Sequence, residues 1–141
     1  MKLEISWNPD QSGMIYGVRI HDARMLSHSY FEETKFLSAE FRREDGSKVL
    51  LELDGISELN LNFWGGEIVM DMAAWAVAAA PQAWTIPDSP WNSLYADRVH
   101  DVPKQVQLMI DRKSGEFLFE MTCSYGGGLV AVCRQIKFFE I

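Results

Sequence analysis

Cysteine is scarce: Cys123 and Cys133 are the only two, too few for a disulfide-stapled secreted domain and not spaced as zinc ligands are. Positive charge is scarce as well. Thirteen Lys and Arg stand against twenty Asp and Glu, a net charge of −7, whereas a phosphate-binding surface needs concentrated positive charge. Nucleic acid is therefore not an expected partner. Long apolar runs are missing too. The longest uncharged stretch, Met72 to Pro87, is interrupted by Pro81, Gln82 and Thr85, too short and too broken to span a bilayer. At the N-terminus Leu3, Ile5 and Trp7 alternate with Lys2, Glu4 and Ser6, which is strand periodicity without the continuous apolar core of an export signal. The expectation is a cytoplasmic protein with reduced thiols and no membrane association.

Enough apolar material is present for one core. Hydrophobic residues make up 48% of 141 and charged residues 23%, the balance of a soluble globular domain, and the length suits one domain over residues 1–141. All ten glycines lie at or before Gly66 or at and after Gly115, while four of the five prolines fall between Pro81 and Pro103. Both flanks read as strands joined by tight turns, which predicts antiparallel hairpins. Met14, Tyr16, Val18 and Ile20 suggest a second strand, with Arg19 and His21 on its other face.

Two hairpins can be given a register. Between Phe36 and Leu53, a three-residue loop Glu44-Asp45-Gly46 opposes Phe41 to Val49, Ala39 to Leu51 and Leu37 to Leu53, all apolar. A one-residue slip would turn Glu52 and Asp54 toward the core. Around Gly126-Gly127-Gly128, a two-residue turn at Gly127-Gly128 opposes Phe117 to Phe138, Phe119 to Ile136, Cys123 to Val132 and Tyr125 to Val130, with only Met121 facing a charge, Arg134. That register puts the two cysteines on opposite faces, so no disulfide is expected. A further hairpin is predicted between Val106–Asp111 and the strand from Phe117, turning at Lys113-Ser114-Gly115.

In the middle, Ile68, Met70 and Met72 alternate as a buried strand face, and Ala73–Ala80 is left open between helix and strand. Ser89-Pro90 resembles an N-cap with proline in the first helical position, predicting one short helix over 90–98. The sum is a mainly β domain: an antiparallel sandwich or partly open barrel with one short helix.

Two clusters stand out as candidate binding residues. His21, Asp22 and Arg24 place imidazole, carboxylate and guanidinium close together in sequence, the residue types that move protons or hold an anion. In a strand, however, His21 and Asp22 point to opposite faces, and the plainer reading is a solvated strand end. Trp75, Trp84 and Trp91, with Tyr95 nearby, bring large aromatics into a proline-containing segment, where they can line a pocket, anchor an interface or plug the core. No cofactor or metal is expected: the triple glycine lacks the lysine and helix of a phosphate loop, and no HExxH or cysteine pair accompanies the histidines. Glu67 and Asp71 lie too far apart in an extended chain for paired acid chemistry and read as a solvated face.

The functional expectation is a small acidic binding module, inhibitor- or immunity-like by analogy of size and charge alone, meeting a basic protein partner. The alternative is a small-molecule-binding β-barrel or enzyme with a Trp-lined pocket. A homodimer is also expected, because Phe138 and Phe139 lie on opposite faces of a C-terminal strand that one core does not cover on both sides.

Overall fold

The structure, a computed structural model, describes residues 2–63, 66–80, 89–95 and 98–141, with Tyr125 described through its backbone alone. The hairpin of β5 (Phe36–Arg42) and β6 (Lys48–Asp54) forms in the expected register, Phe41 opposite Val49, Ala39 opposite Leu51 and Leu37 opposite Leu53. Its loop works because Gly46 sits at φ +88° and Asp45 accepts from the Ser47 amide and hydroxyl at 2.9 and 2.6 Å. Around this hairpin lie β4 (Arg24–Phe31), β11 (Gln135–Glu140) and β1 (Leu3–Ile5), in the order β1-β11-β6-β5-β4. A second antiparallel sheet runs β7-β10-β9-β8, with β7 Glu58–Asn62, β8 Val69–Ala76, β9 Phe117–Cys123 and β10 Gly128–Cys133. The two sheets face each other as a sandwich and do not close into a barrel. Leu37, Phe41, Leu51 and Phe138 of one sheet pack with Met72, Phe119, Met121 and Leu129 of the other.

The C-terminal register differs from expectation. Met121 pairs with Leu129, Phe119 with Ala131 and Phe117 with Cys133, and the loop is the longer Ser124–Gly127. The segment from Leu129 to Glu140 is not one strand. It turns at Arg134 from β10 in the second sheet to β11 in the first, where Phe138 pairs with Leu51 and Ile5. Gly55, at φ +66°, makes room for that corner; a Cβ there would lie 2.3 Å from Arg134 Nε. The corner also changes which alternate residues meet the core: Leu129, Ala131 and Cys133 before it, Ile136 and Phe138 after it.

Both thiols are free and buried, but for another reason than the one expected. Cys123 and Cys133 face the same core and are separated along the strands. Gly127, which contacts Cys123 across the loop, is six positions from Cys133, about 20 Å in extended chain.

The fold has two α-helices among the described residues, not one. α1 spans Pro90–Tyr95, as expected at its start. The segment predicted as a hairpin strand is α2, Val102–Lys113, with Asp101 capping the Lys104 amide at 3.1 Å and Pro103 in the first turn. Val102, Val106 and Met109 recur at helical spacing and pack on the second sheet, a stripe that outweighs the strand pattern of a six-residue window. The Lys113-Ser114-Gly115 turn then leads into β9 from a helix. Against the outer face of that sheet, at Leu118, Val130 and Val132, the helices bury Trp91, Leu94, Tyr95 and Val106 as a second core cluster.

Two further expectations fail locally. The proposed strand over Met14–Ile20 shrinks to Ile15–Tyr16 (β3), paired with Asn8–Pro9 (β2), because Gly17 and Arg19 turn the chain at φ +94° and +55°. In β8 a bulge between Val69 and Asp71 shifts the phase, so Val69, Met72 and Ala74 are buried and Met70 is exposed. Ala73–Ala80 continues β8 to Ala76 and then forms a single 3₁₀ turn.

Candidate functional site

The loop between β1 and β4 is held against the edge of β8, and its construction begins with Trp75. The indole N–H donates to the Ser12 carbonyl at 3.1 Å, and Gly13, at φ +91°, lies so close that a Cβ would stand 2.1 Å from the indole nitrogen. Asp10 closes the turn, its carboxylate accepting from the Ser12 amide, the Ser12 hydroxyl and the Met14 amide at 2.8, 2.6 and 2.9 Å. Those bonds, the Ser12 hydroxyl first, hold the Asp10 carboxyl below its ordinary range, and the charge in turn raises the Tyr16 hydroxyl. The Ala74 amide donates to the Gly13 carbonyl at 2.8 Å, fixing the β2–β3 hairpin to β8.

The second half of the loop is locked by a buried arginine. Arg43 donates to the carbonyls of Val18 (2.5 Å) and Arg19 (3.0 Å), the Ser47 hydroxyl (3.1 Å) and both Glu140 oxygens (2.8 and 2.9 Å). With its donors spread over the loop, the β5–β6 turn and β11, this guanidinium holds Arg19 in a left-handed conformation. Asp22 has one as well, at φ +66°. Non-glycine residues seldom take it, and such strain concentrates at functional sites. The Asp22 amide donates to Val69 and the Val69 amide to Ala23, both at 2.8 Å, stitching the loop to the bulge of β8.

His21 sits where these parts meet. Its Nδ1–H donates to the Met70 carbonyl, and its Nε2 lies 3.5 Å from the Asp22 carboxylate. The Met70 carbonyl, then Asp22, with Asp71 and Glu44 adding charge, raises the imidazole above its ordinary value of 6.5. A cavity of about 280 Å³ opens on one side, lined by Met14, Tyr16, Ile20, His21, Met70 and Asp71. On the other side Arg19, Arg43, Glu44 and Asp45 line one of about 330 Å³. Tyr16 and Met70 are 62% and 41% exposed, two apolar side chains on a surface bounded by Asp10, Asp22, Glu44, Asp45 and Asp71, with Arg19 lining both cavities and lying 3.7 Å from Asp45.

Of the residues singled out from sequence, His21 and Asp22 belong to this surface. Arg24 begins β4 and donates instead to the Gly66 carbonyl at 3.2 Å. Trp75 shapes the loop from beneath. Trp91 and Tyr95 stack at 6.2 Å and 5° inside the second core cluster, with no exposed surface on Trp91. Burial, then Glu58, drives the Tyr95 hydroxyl well above its ordinary range. Trp84 lies outside the described residues. Glu67, read from sequence as solvated, is buried in phase with Val69, whereas Asp71, beyond the bulge, is exposed. Among the described residues no cluster of His, Cys, Asp and Glu has the makings of a metal site, and no helix is long and apolar enough to cross a membrane. Tyr16, Met70, Glu44 and Asp45 escaped sequence reasoning, since they lie on three separate segments. The glycines at 13 and 17 on either side of Tyr16 were the available signal that this stretch is a loop. The chain matches no protein-family description, no curated protein and no solved structure.

Proposed function

We propose that the protein is a small acidic binding module that docks a basic segment of a protein partner on the Tyr16–Met70 surface. The observation that carries this reading is the convergence of two exposed apolar side chains and five carboxylates from the β1–β4 loop, the β5–β6 turn and β8, with Arg19 beside Asp45 and the loop fixed by Arg43, Asp10 and Trp75. Apolar contact supplies burial, opposite charge speeds encounter, and a preformed loop lowers the ordering cost of binding. If the covered segment belongs to the partner's own working site, docking inhibits it. Capture of partner from lysate at low salt, with Tyr16→Ala, Asp71→Lys and the distant Glu33→Lys as baits, tests the reading. The expected result is a basic protein released by salt, lost with the first two variants and kept with the third. Equal recovery on all baits, or none on any, refutes it.

The Trp-lined small-molecule site draws no support from Trp91 and Tyr95, whose rings are enclosed. Self-association is proposed through a different edge from the one first expected. β11 lies between β1 and β6, and Phe139 is nine-tenths covered with the Lys2 ammonium 4.3 Å from its ring centre, so neither leaves that strand open. β4 is bridged on its outer side at Arg24–Met25 by Glu67 and Ile68, and beyond Met25 it is an edge that ends in the half-exposed Phe31, the kind of edge that pairs with a second copy unless it is masked.

A further inference from the structure

The ladder beside β4 fixes which of its backbone groups face away from the sheet. In an antiparallel sheet alternate residues of a strand bond to one neighbour and the residues between them to the other. At the β5–β6 turn the Arg43 amide donates to the Ser47 carbonyl, so Phe41, Ala39 and Leu37 bond toward β6, opposite Val49, Leu51 and Leu53. Glu40, Ser38 and Phe36 then bond toward β4, opposite Ser27, Ser29 and Phe31. The backbones of His28 and Tyr30 are left pointing outward. Met25, opposite Phe41, obeys the same alternation, and its amide donates outward to the Glu67 carbonyl at 2.8 Å. Beyond Met25, no backbone bond among the described residues reaches this edge. The stretch Leu26 to Phe31 contains no lysine, acid or proline, the residues that commonly guard an edge, and Ser27, His28, Ser29 and Phe31 are exposed.

Resting on the edge-pairing reading above, we propose that two copies join here in one register, antiparallel about a twofold axis between their Ser29 residues. His28 of each copy then lies opposite Tyr30 of the other, and Ser27 opposite Phe31. Three constraints select this arrangement. A twofold axis relating antiparallel edge strands stands normal to the sheet, so each residue meets one from the same face, and the axis falls on a residue rather than between two. Outward backbone must also meet outward backbone. With the axis at Ser29, the two His28–Tyr30 pairs both satisfy this and exchange about four hydrogen bonds, two per pair. With the axis at His28, Phe31 of the second copy falls opposite Met25, whose outward amide is already taken by Glu67. With the axis at Tyr30, Glu32 of the turn after β4 falls opposite His28, and one bonded pair remains within the strands. Side-chain size agrees with the middle choice. Phe31 is 52% exposed and rests 6.3 Å from the Phe36 ring; in this register it faces Ser27 and, diagonally, Ser29, small side chains that leave room for the ring.

The test uses Ser27→Cys, His28→Cys and Ser29→Cys in the full chain, each checked by circular dichroism for a native melt, then oxidised and run on a gel without reductant. Two Ser29 positions directly opposite in a non-bonded pair are about 4.5 Å apart at Cα, within disulfide reach. The two His28 positions are offset by two residues, about 7 Å along the strand, and the two Ser27 positions by four, about 13 Å. Ser29→Cys is therefore expected to run as a covalent dimer and the other two as monomers. The unsubstituted chain should also stay monomeric, since Cys123 and Cys133 are buried. Adding His28→Pro to Ser29→Cys should abolish the bridge while the monomer melt stays native, because that amide points away from the sheet. Bridging by His28→Cys in place of Ser29→Cys, or equally by all three, overturns the register and leaves edge pairing to be judged by the mass in solution. A constant monomer mass with no bridge in any variant overturns both.

Discussion

Arg43 illustrates how much one buried side chain does in this protein. Its guanidinium is nearly inaccessible, yet its donors are met by two carbonyls, a hydroxyl and a carboxylate, which is the condition under which a buried charge is tolerated. Arg43→Ala leaves the Val18 and Arg19 carbonyls without this donor and is expected to cost about 1–3 kcal/mol in urea unfolding. Arg43→Lys should rescue little of it, because an ammonium cannot span the same fork of acceptors. His21 is exposed, and its effect lies in pH dependence. Its folded value is raised, so the stabilisation it adds is fully present below its unfolded value of 6.5 and lost as pH rises through the folded one. An NMR titration should place the His21 ring above an ordinary imidazole, and the stability gap between the native chain and His21→Asn should shrink with rising pH. A ring titrating at or below the ordinary value would contradict this. Burial pushes Cys123 up to about 11 and Cys133 to about 12. Both should resist a thiol reagent at mildly alkaline pH in the folded chain and react fully once it is unfolded.

Among the elements, β9 and α2 make opposite points about legibility. Phe119 was assigned to the core from sequence and is fully buried, although its neighbours are Ala131 and Ala74 in place of Ile136. Phe119→Ala should therefore still cost about 3–5 kcal/mol by denaturant unfolding, and a loss below about 1 kcal/mol would mean that the face is open. α2 was misread because a window over Val106–Asp111 sees alternation, whereas the helical stripe begins at Val102 and its start is marked by Asp101 and Pro103. Asp101→Ala should cost about 1 kcal/mol through loss of that cap. The β5–β6 register was legible because a slip there buries carboxylates. The β9–β10 register was not: three consecutive glycines permit several loop lengths, and the chain from Leu129 to Glu140 is two strands that meet in a turn at Arg134.

For the whole molecule, the helices cover the outer face of the four-stranded sheet but leave its Asn60–Thr122 end open, and the outer face of the five-stranded sheet carries no helix among the described residues. Pairing of β4 edges predicts a mass above 16.1 kDa at high concentration, returned to monomer by Phe31→Lys, since an edge lysine opposes strand addition. A constant monomer mass by light scattering across a dilution series would exclude it. Sequence alone determined the class, because hydrophobic period, turn glycines and charge balance are local quantities: an antiparallel β domain, the β5–β6 hairpin and a negative surface all follow from neighbours in the chain. Tertiary structure decided which strand joined which sheet, where the C-terminal segment changed sheets, and that Tyr16, Met70, Asp22, Glu44 and Asp71 share one surface. Those outcomes depend on contacts between residues far apart in the chain, and on corners such as Gly55 with Arg134, where one close backbone approach reverses which side chains face the core.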